Sequence, residues 1–292
     1  MIKKRTTAEK SFQAFNYFIL TFLSFITLYP FWNQLCVSLS GPSPVKLNKV
    51  YFIPLSMQLD AYRYLNDSGL FWKGFRFTGM ITIAGTVFSI FMTVLFAYPL
   101  AKKNFRWRGP LTTMILITMF FSGGLIPEYL LYKQLHLIDN VLVYIIPGAL
   151  STWNVLILRN FFQGIPPEIE ESALIDGANE FNVLIRIIIP MSVPAILTIT
   201  LWGIVGRWNT FAQCIYFTKS ESLRTLQVDL RNIVTGNNVQ EGYAYISPEY
   251  SKMTQQSISA AAIIMTTLPM LIIYPFIQKY FVKGIIIGSL KG

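Results

Sequence analysis

Residues 77–101 read FTGMITIAGTVFSIFMTVLFAYPLA and contain no charged side chain. A helix that crosses a bilayer needs about 20 mostly apolar residues, and each charge at its centre costs about 2.5–3.5 kcal/mol. The stretch therefore predicts a transmembrane helix. The whole chain agrees, since 53% of its 292 residues are hydrophobic and only 13% are charged. Soluble domains have roughly 25% charged residues, so the composition excludes a soluble enzyme as well as a disordered chain.

Six stretches of the sequence are long and apolar enough to cross a membrane. They lie roughly at 12–36, 77–101, 111–133, 138–162, 185–215 and 256–282. The first is too long for a signal peptide and lacks a cleavage motif, so we expect it to be retained. The predicted fold class is all-α: one polytopic bundle of six transmembrane helices over 1–292, with outer loops at about 37–76 and 216–255.

Basic residues in short connecting segments predict the orientation of the bundle. They are Lys3, Lys4, Arg5 and Lys10 at the N-terminus, and Lys102, Lys103, Arg106 and Arg108 in the turn 102–110. Because cytoplasmic loops carry an excess of Lys and Arg, we expect both termini inside. The same bias accounts for the net charge of +10. It indicates membrane lipid as a partner and no nucleic acid.

One predicted cytoplasmic segment, the loop at about 163–184, is acidic. It holds Glu168, Glu170, Glu171, Asp176 and Glu180. An acidic loop beside an anionic leaflet is poorly suited to bind lipid, which favours docking to another protein. The alternative is an amphipathic loop helix that lies against its own bundle with a solvated charged face. The charge pattern leaves both interpretations open.

Proline and glycine mark the ends of a predicted helix in this loop. Pro166-Pro167 suit a first helical turn, and Asp176-Gly177 supply a stop, because glycine adopts the left-handed conformation without strain. A second helix is predicted from about Ala178 towards Pro190. On the first helix one face contains Ile169, Ser172, Ala173 and Asp176. Since Ser172 and Ala173 are small, we expect this face to admit a partner closely.

The spacing of residues across this loop matches a known signature. The run Glu171-Ser172-Ala173-Leu174-Ile175-Asp176-Gly177-Ala178 is followed by Ile187-Ile188-Ile189-Pro190. This resembles the EAA signature of ABC importer permeases: E-A-A, three residues, G, nine residues, I-x-L-P. Two positions depart from it, Ser172 for alanine and Ile189 for leucine, and both keep a similar volume.

The resemblance extends over most of the chain. The runs Gly124-Leu125-Ile126-Pro127, Leu135–Asn140 and Trp208-Asn209-x-Phe211 are similar to elements of carbohydrate permeases. The ending, with Gly288, Lys291 and Gly292, resembles the tail of the maltose-type second permease subunit. Within that group the chain is similar to permeases for complex sugars from Gram-positive bacteria.

The resemblance implies a type I importer permease fold in a bacterial cell membrane. It implies that the EAA segment is a coupling helix docked in an ATPase, with Glu171, Ser172, Ala173, Asp176, Gly177, Ala178 and Pro190 as the coupling residues. The tail residues Gly288, Lys291 and Gly292 would also reach the ATPase. The implied cargo is an oligosaccharide or polysaccharide fragment, and a non-sugar solute is the alternative.

The implied partners are a second permease subunit in a heterodimer, a cytoplasmic ATPase dimer and an extracellular solute-binding protein. The chain has no G-x-x-x-x-G-K-[ST] phosphate loop, so ATP and magnesium are expected on the separate ATPase. This chain is expected to bind no cofactor and no metal and to catalyse no reaction. In the outer loop Tyr243, Tyr245 and Tyr250 are candidate contacts to the binding protein, or else interfacial aromatics.

The fifth predicted span carries the candidate substrate path: Trp202, Arg207, Trp208 and Asn209. Sugars are bound by aromatic faces and converging polar groups, and a charge at membrane depth is a candidate functional site. Arg207 has an equally weighted alternative, in which it extends to the outer interface. Trp208 and Asn209 have the alternative of bridging helices.

Two other classes of membrane protein fit the sequence less well. An ion-driven secondary transporter needs acidic residues in mid-span, whereas Glu128 and Asp139 lie near predicted ends. An intramembrane enzyme needs a catalytic constellation, and the chain has one histidine, His136, with no suitable pair of acids. The pattern therefore favours the importer.

Overall fold

The computed structural model describes residues 6–236 and 253–289, and all regular structure in that part of the chain is helical. The α-helices are α1 (Thr7–Ser38), α2 (Pro42–Lys46), α3 (Asp60–Asp67), α4 (Leu70–Ala101), α5 (Arg108–Phe120), α6 (Leu125–Gln134), α7 (Thr152–Gln163), α8 (Pro167–Ile175), α9 (Glu180–Val183), α10 (Ile189–Met191), α11 (Val193–Trp208), α12 (Ala212–Phe217), α13 (Leu226–Thr235) and α14 (Gln255–Ser289). Short 3₁₀ turns occupy Val141–Tyr144 and Glu221–Leu223, and a π-helical turn occupies Leu184–Ile188.

In the described part of the chain, three helices are long and apolar enough to cross a membrane unbroken. They are Thr7–Ser38, Phe71–Ala101 and Gln255–Pro275. The first begins at a capping box, in which the Thr6 side chain accepts from the Glu9 N–H and the Glu9 carboxylate accepts from the Thr6 N–H. This reciprocal pair satisfies two backbone donors at the helix start. The second contains the uncharged stretch 77–101 and extends it at its N-terminal end.

Two further candidate spans are bent pairs of helices. Arg108–Phe120 and Leu125–Gln134 meet at 119°, across a break that contains Gly124 at φ +83°. Glu180–Met191 and Val193–Trp208 meet at 80°. Prolines flank the second bend, Pro190 and Pro194, and each lacks the N–H that would continue a helix. The predicted spans 111–133 and 185–215 are therefore not continuous helices.

The predicted fourth span, 138–162, also needs correction. Only Thr152–Gln163 is α-helical there, and its 12 residues rise about 18 Å, less than the roughly 30 Å core of a bilayer. Before it, Asn140 caps a 3₁₀ turn by accepting from the Leu142 N–H at 3.0 Å. Pro147 and Gly148 then lie in a non-helical segment before α7. Hydropathy averages over such breaks, which is why the sequence suggested one helix.

The described residues form two compact units. The first draws on Met1–Phe71 and Leu230–Thr267. Its buried cluster is Cys36, Val37, Val45, Val50 and Ala260. Along the apolar stretch of α1 no residue is buried within the protein, as expected of a helix that meets lipid or another subunit.

The second unit draws on Trp72–Asp229 and Leu268–Gly292, and it contains both candidate sites. One buried cluster joins the C-terminal part of α4, α7, the turn after α9 and α11 through Ala97, Leu158, Ile188 and Ile199. A second cluster surrounds Tyr144 and Phe217. The first cluster holds the acidic segment in place.

Candidate functional site

The acidic segment forms a short helix with well-defined ends. Pro167 occupies its first turn, where a missing N–H costs nothing. At the other end the Gly177 N–H donates to the Leu174 oxygen at 3.1 Å and the Ala178 N–H to the Ala173 oxygen at 3.0 Å. Gly177 has φ +88°, the left-handed conformation that this Schellman closure requires. The predicted limits of the helix are confirmed.

Acidic side chains attach this segment to the end of α4. The Lys102 ammonium forms an ion pair with Glu170 and lies 3.4 Å from Glu180 Oε2. The Tyr98 hydroxyl donates to Glu180 Oε2 at 2.7 Å. The same ammonium lies 4.5 Å from the centre of the Tyr98 ring, within the range of a cation–π contact. Two of the five clustered acids therefore serve to position the segment.

The two faces of α8 have different neighbours. Ala173 and Ala178 pack against the buried cluster of their own bundle. Glu171 is exposed. Leu174 is 40% exposed and Ile175 is 86% exposed. Of the face that was expected to meet a partner, Ala173 lies on the core, because the buried α4 and α7 side chains are adjacent to it, whereas Ser172 and Asp176 are exposed. The surface free to meet another protein, here called the α8 tip, is Glu171, Leu174, Ile175 and Asp176.

The second predicted helix is present but irregular. Asn179 caps it by accepting from the Asn182 N–H at 2.8 Å. The chain then runs through the π-helical turn Leu184–Ile188 to the exposed Pro190. Pro190 has no N–H, so the Arg186 carbonyl four residues earlier lacks its usual α-helical donor. A π turn before the proline is consistent with this missing hydrogen bond. Ser172, Asp176 and Gly177 are exposed, as is Pro190.

Arg207 lies against glycines from two other parts of the unit. A Cβ on Gly85 would lie 2.4 Å from Arg207 Nε, and one on Gly148 would lie 3.5 Å from Nη2. Nη2 donates to the Gly148 oxygen at 2.7 Å. Nε is buried and has no hydrogen-bond partner. The guanidinium therefore fits only because residue 85 of α4 is a glycine. No local sequence pattern indicated this contact between Gly85 and Arg207.

The other residues of the predicted substrate path have different surroundings. Trp208 is only 5% exposed and packs edge-on against Phe75, with ring centres 5.4 Å apart. Trp202 is 41% exposed. Asn209 is exposed, donates to the Val205 oxygen at 2.9 Å and accepts from Gln227 at 3.2 Å. The four residues share one stretch of chain but differ in exposure and in contacts.

Several predicted contact residues lie where the structure gives no contacts. Tyr243, Tyr245 and Tyr250 fall outside the described residues, as do Lys291 and Gly292. Gly288 lies in the last turn of α14. The proposed contacts of these residues therefore stay predictions.

Apolar helices that can cross a bilayer, two bent helix pairs and an exposed acidic helix define a multi-pass membrane transport protein. The model of the family described as "Binding-protein-dependent transport system inner membrane component" matches residues 83–287. The match covers more than half of the chain, so the chain belongs to this family.

Individual relatives agree with this membership. The chain is 37% identical to the polygalacturonan/rhamnogalacturonan transport system permease protein YtcP of Bacillus subtilis, over 97% of this chain and 99% of the relative. It is 36% identical to protein LplC of the same organism, over 98% and 97%. Among solved structures it is similar to a chain of a bacterial ABC transporter involved in the import of the acidic polysaccharide alginate, at TM-score 0.86 and 31% identity, covering 95% of this chain and 99% of that chain.

Membership decides between the classes weighed from the sequence. The family consists of permease subunits of ABC importers, which are non-catalytic and reside in the bacterial cell membrane. The chain is accordingly an importer permease and neither an ion-driven transporter nor an intramembrane enzyme.

Proposed function

We propose that this permease imports oligosaccharides or polysaccharide fragments and that the α8 tip couples it to ATP hydrolysis in a separate subunit. The proposed cargo follows from the relatives, whose names specify polygalacturonan and rhamnogalacturonan in one case and alginate in another. A further relative, 29% identical over 92% of this chain, is the arabinooligosaccharides transport system permease protein AraQ of Bacillus subtilis. Polymeric or oligomeric sugars are common to all three.

The observation that carries the coupling proposal is the exposure of the α8 tip. Ile175 is 86% exposed although the adjacent Ala173 and Ala178 pack against the core. An isoleucine that projects from a helix anchored on its opposite face is suited to insert into a pocket of a partner. Glu171 and Asp176 beside it supply charge for orientation.

The anchoring explains how docking would move the bundle. The Lys102–Glu170 ion pair and the Tyr98–Glu180 hydrogen bond tie the segment to the end of α4. A displacement of the α8 tip would therefore be transmitted to a candidate membrane span. An ATPase that binds the tip differently in two nucleotide states would shift the inward–outward equilibrium by that difference in binding free energy.

The complete importer proposed here has further components. ATP and magnesium bind to a cytoplasmic ATPase dimer, and this chain forms a heterodimer with a second permease. An extracellular binding protein delivers the cargo, with Tyr243, Tyr245 and Tyr250 as proposed contacts. Gly288, Lys291 and Gly292 are proposed to reach the ATPase, which requires both termini inside. The exposed apolar surface of α1 supports burial against lipid or the second permease.

A pair of glycine variants tests the coupling proposal. Gly177 and Gly69 both have positive φ, at +88° and +65°, and neither has an atom within 4 Å of its Cβ position. Alanine costs about 1–2 kcal/mol of backbone strain at either site. We expect Gly177→Ala to reduce both ATPase co-purification and uptake, and Gly69→Ala to leave both unchanged at equal membrane insertion.

A charge reversal provides a second arm of the test. Glu171→Lys is expected to reduce ATPase co-purification at least fivefold, whereas Glu221→Lys, on an exposed acid outside the segment, is not. Normal ATPase recruitment by both Gly177→Ala and Glu171→Lys would show that the α8 tip is not the docking surface.

A further inference from the structure

Arg207 lies beside the middle of one candidate membrane span and at the C-terminal end of another. Its guanidinium lies against Gly85, near the centre of the span Phe71–Ala101. At 1.5 Å per residue, the nearest charged residue of that helix, Arg76, is about 14 Å from Gly85 along the axis. An arginine side chain cannot extend over such a distance to reach an interface. The geometry therefore argues against the interfacial alternative for Arg207 and in favour of a site at transport depth.

The charge of Arg207 is poorly compensated. Among the described residues no carboxylate lies within ion-pair distance of it. Its one hydrogen bond is to a backbone oxygen, that of Gly148, and its buried Nε has no partner. A charge held at this depth without a counter-ion is costly, and such residues in membrane proteins mark substrate or ion pathways.

Polar groups lie near the guanidinium. A Cβ on Gly203 would lie 3.5 Å from Thr86 Oγ1 and 3.6 Å from Arg207 Nη1, so both groups face this glycine. The hydroxyls of Thr86 and of Thr82, one turn away, are buried without a hydrogen-bond partner. Buried hydroxyls without a partner near a guanidinium suit a ligand that supplies acceptors.

The helix that carries Arg207 is interrupted at this point. α11 ends at Trp208, and α12 resumes at Ala212. Transporters commonly bind substrate near the bilayer midplane, where a spanning helix is broken. The exposed Asn209 side chain lies within the break. The bond from Nη2 to Gly148 is at the accessible surface, so the outer edge of the guanidinium is open to a ligand.

We propose that the Arg207 guanidinium, with the Thr86 hydroxyl beside it, binds a carboxylate of the cargo, so that the imported sugars are uronate oligosaccharides. A guanidinium presents paired N–H donors that match a carboxylate in a bidentate arrangement. A neutral sugar would leave the charge uncompensated. This inference rests on the proposed import of sugars and adds their charge to it.

The test uses the complete transporter, with its ATPase, second permease and binding protein, in membrane vesicles. The probes are short oligogalacturonides and alginate oligosaccharides together with their neutral methyl esters, and uptake is measured by mass spectrometry. We expect the wild type to import the acidic forms faster than the esters. Arg207→Gln should lower the acid-to-ester uptake ratio at least tenfold, and Arg207→Lys should restore part of it.

A pair of α4 glycines supplies the matched control. Gly85→Ala should lower the same ratio, since its Cβ would meet Arg207 Nε at 2.4 Å. Gly79→Ala should not, because nothing lies within 4 Å of that position. Membrane insertion and ATPase co-purification are measured for every variant.

The possible outcomes separate the two proposals. Import of none of the acidic or neutral sugars by the wild type would overturn the proposed function and this inference with it. Import of esters as fast as acids, or an equal loss of both in Arg207→Gln, would overturn the inference alone and leave Arg207 as a structural tie to Gly148. An unchanged ratio in Arg207→Gln would overturn it as well.

Discussion

Lys102 and Arg207 are both cations held against α4, but their surroundings are opposite. Lys102 has two carboxylates, Glu170 and Glu180, and the face of an aromatic ring. Arg207 has a single backbone oxygen and a buried nitrogen with no partner. The first arrangement stabilises the fold and attaches a segment to the bundle. The second is retained in spite of its cost, which is the usual state of a site that awaits a ligand.

The largest effect is expected from reversing the compensated charge. Lys102→Glu would place three carboxylates together at a partly buried position, and we expect a loss of about 3 kcal/mol in unfolding free energy. ATPase co-purification should fall as α8 detaches. The measurement is thermal unfolding in detergent beside a pull-down. Lys103→Glu, at the exposed neighbour, is the control, and equal losses in both variants would contradict the comparison.

Asp229 is an intermediate case, a partly buried carboxyl whose cation partner lies at the limit of ion-pair distance. Its carboxylate lies 3.9 Å from Arg224 Nε, and burial raises the pKa of Asp229 to about 6 in spite of this attraction. The folded protein thus holds this proton more tightly than the unfolded chain, whose pKa is near 4. The stability it contributes is complete below about pH 4 and is lost as pH rises through about 6.

The corresponding prediction concerns pH dependence. Between pH 4 and pH 7 the wild type should lose on the order of 2 kcal/mol relative to Asp229→Asn, because the amide does not titrate. Thermal unfolding of both proteins across that range measures the difference. Parallel pH profiles would show that the Asp229 carboxyl does not titrate as described.

Replacing the uncompensated cation Arg207 should raise the unfolding free energy, whereas Lys102→Glu should lower it. Arg207→Met removes a buried donor without a partner and keeps much of the side-chain length, so we expect stabilisation of about 1–2 kcal/mol. Uptake of acidic oligosaccharides should be lost at the same time. A rise in thermal stability together with loss of transport would show that the charge of Arg207 serves transport and not stability. Destabilisation would instead show that Arg207 stabilises the fold, as Lys102 does.

The smallest effect is expected from a single hydrogen bond of the acidic segment. Tyr98→Phe removes the donor to Glu180 Oε2 and should cost about 1 kcal/mol, because that carboxylate remains partly exposed to water. Thermal unfolding gives the value. Tyr17→Phe, at an exposed tyrosine on α1, controls for loss of a hydroxyl. A change within error of this control would mean that Lys102 alone holds Glu180.

The sequence predicted the acidic helix well because its signals are local. Pro167 and Gly177 act on the residues next to them, and the helix they delimit is the one observed. Which of its residues it buries was left open by the sequence. The small residue Ala173 suggested a partner, but it packs against its own core. Small side chains permit close approach by any neighbour, and the sequence does not say which neighbour is there.

The membrane spans show the same division. A run of apolar residues such as 77–101 determines that a segment leaves water, and the long helix there is present. An apolar run does not determine whether the helix stays straight, because the residues before and after a bend are equally hydrophobic. The 119° bend between α5 and α6 and the short α7 were therefore not predicted.

By itself the sequence determined that this protein is embedded in a membrane as helices and where its acidic helix begins and ends. Both follow from properties of adjacent residues: transfer free energy in one case, backbone conformation at proline and glycine in the other. Only the tertiary structure placed Arg207 beside Gly85, Gly148 and Gly203 at the centre of a span. Electrostatic cost depends on what surrounds a charge, and those neighbours come from distant parts of the chain.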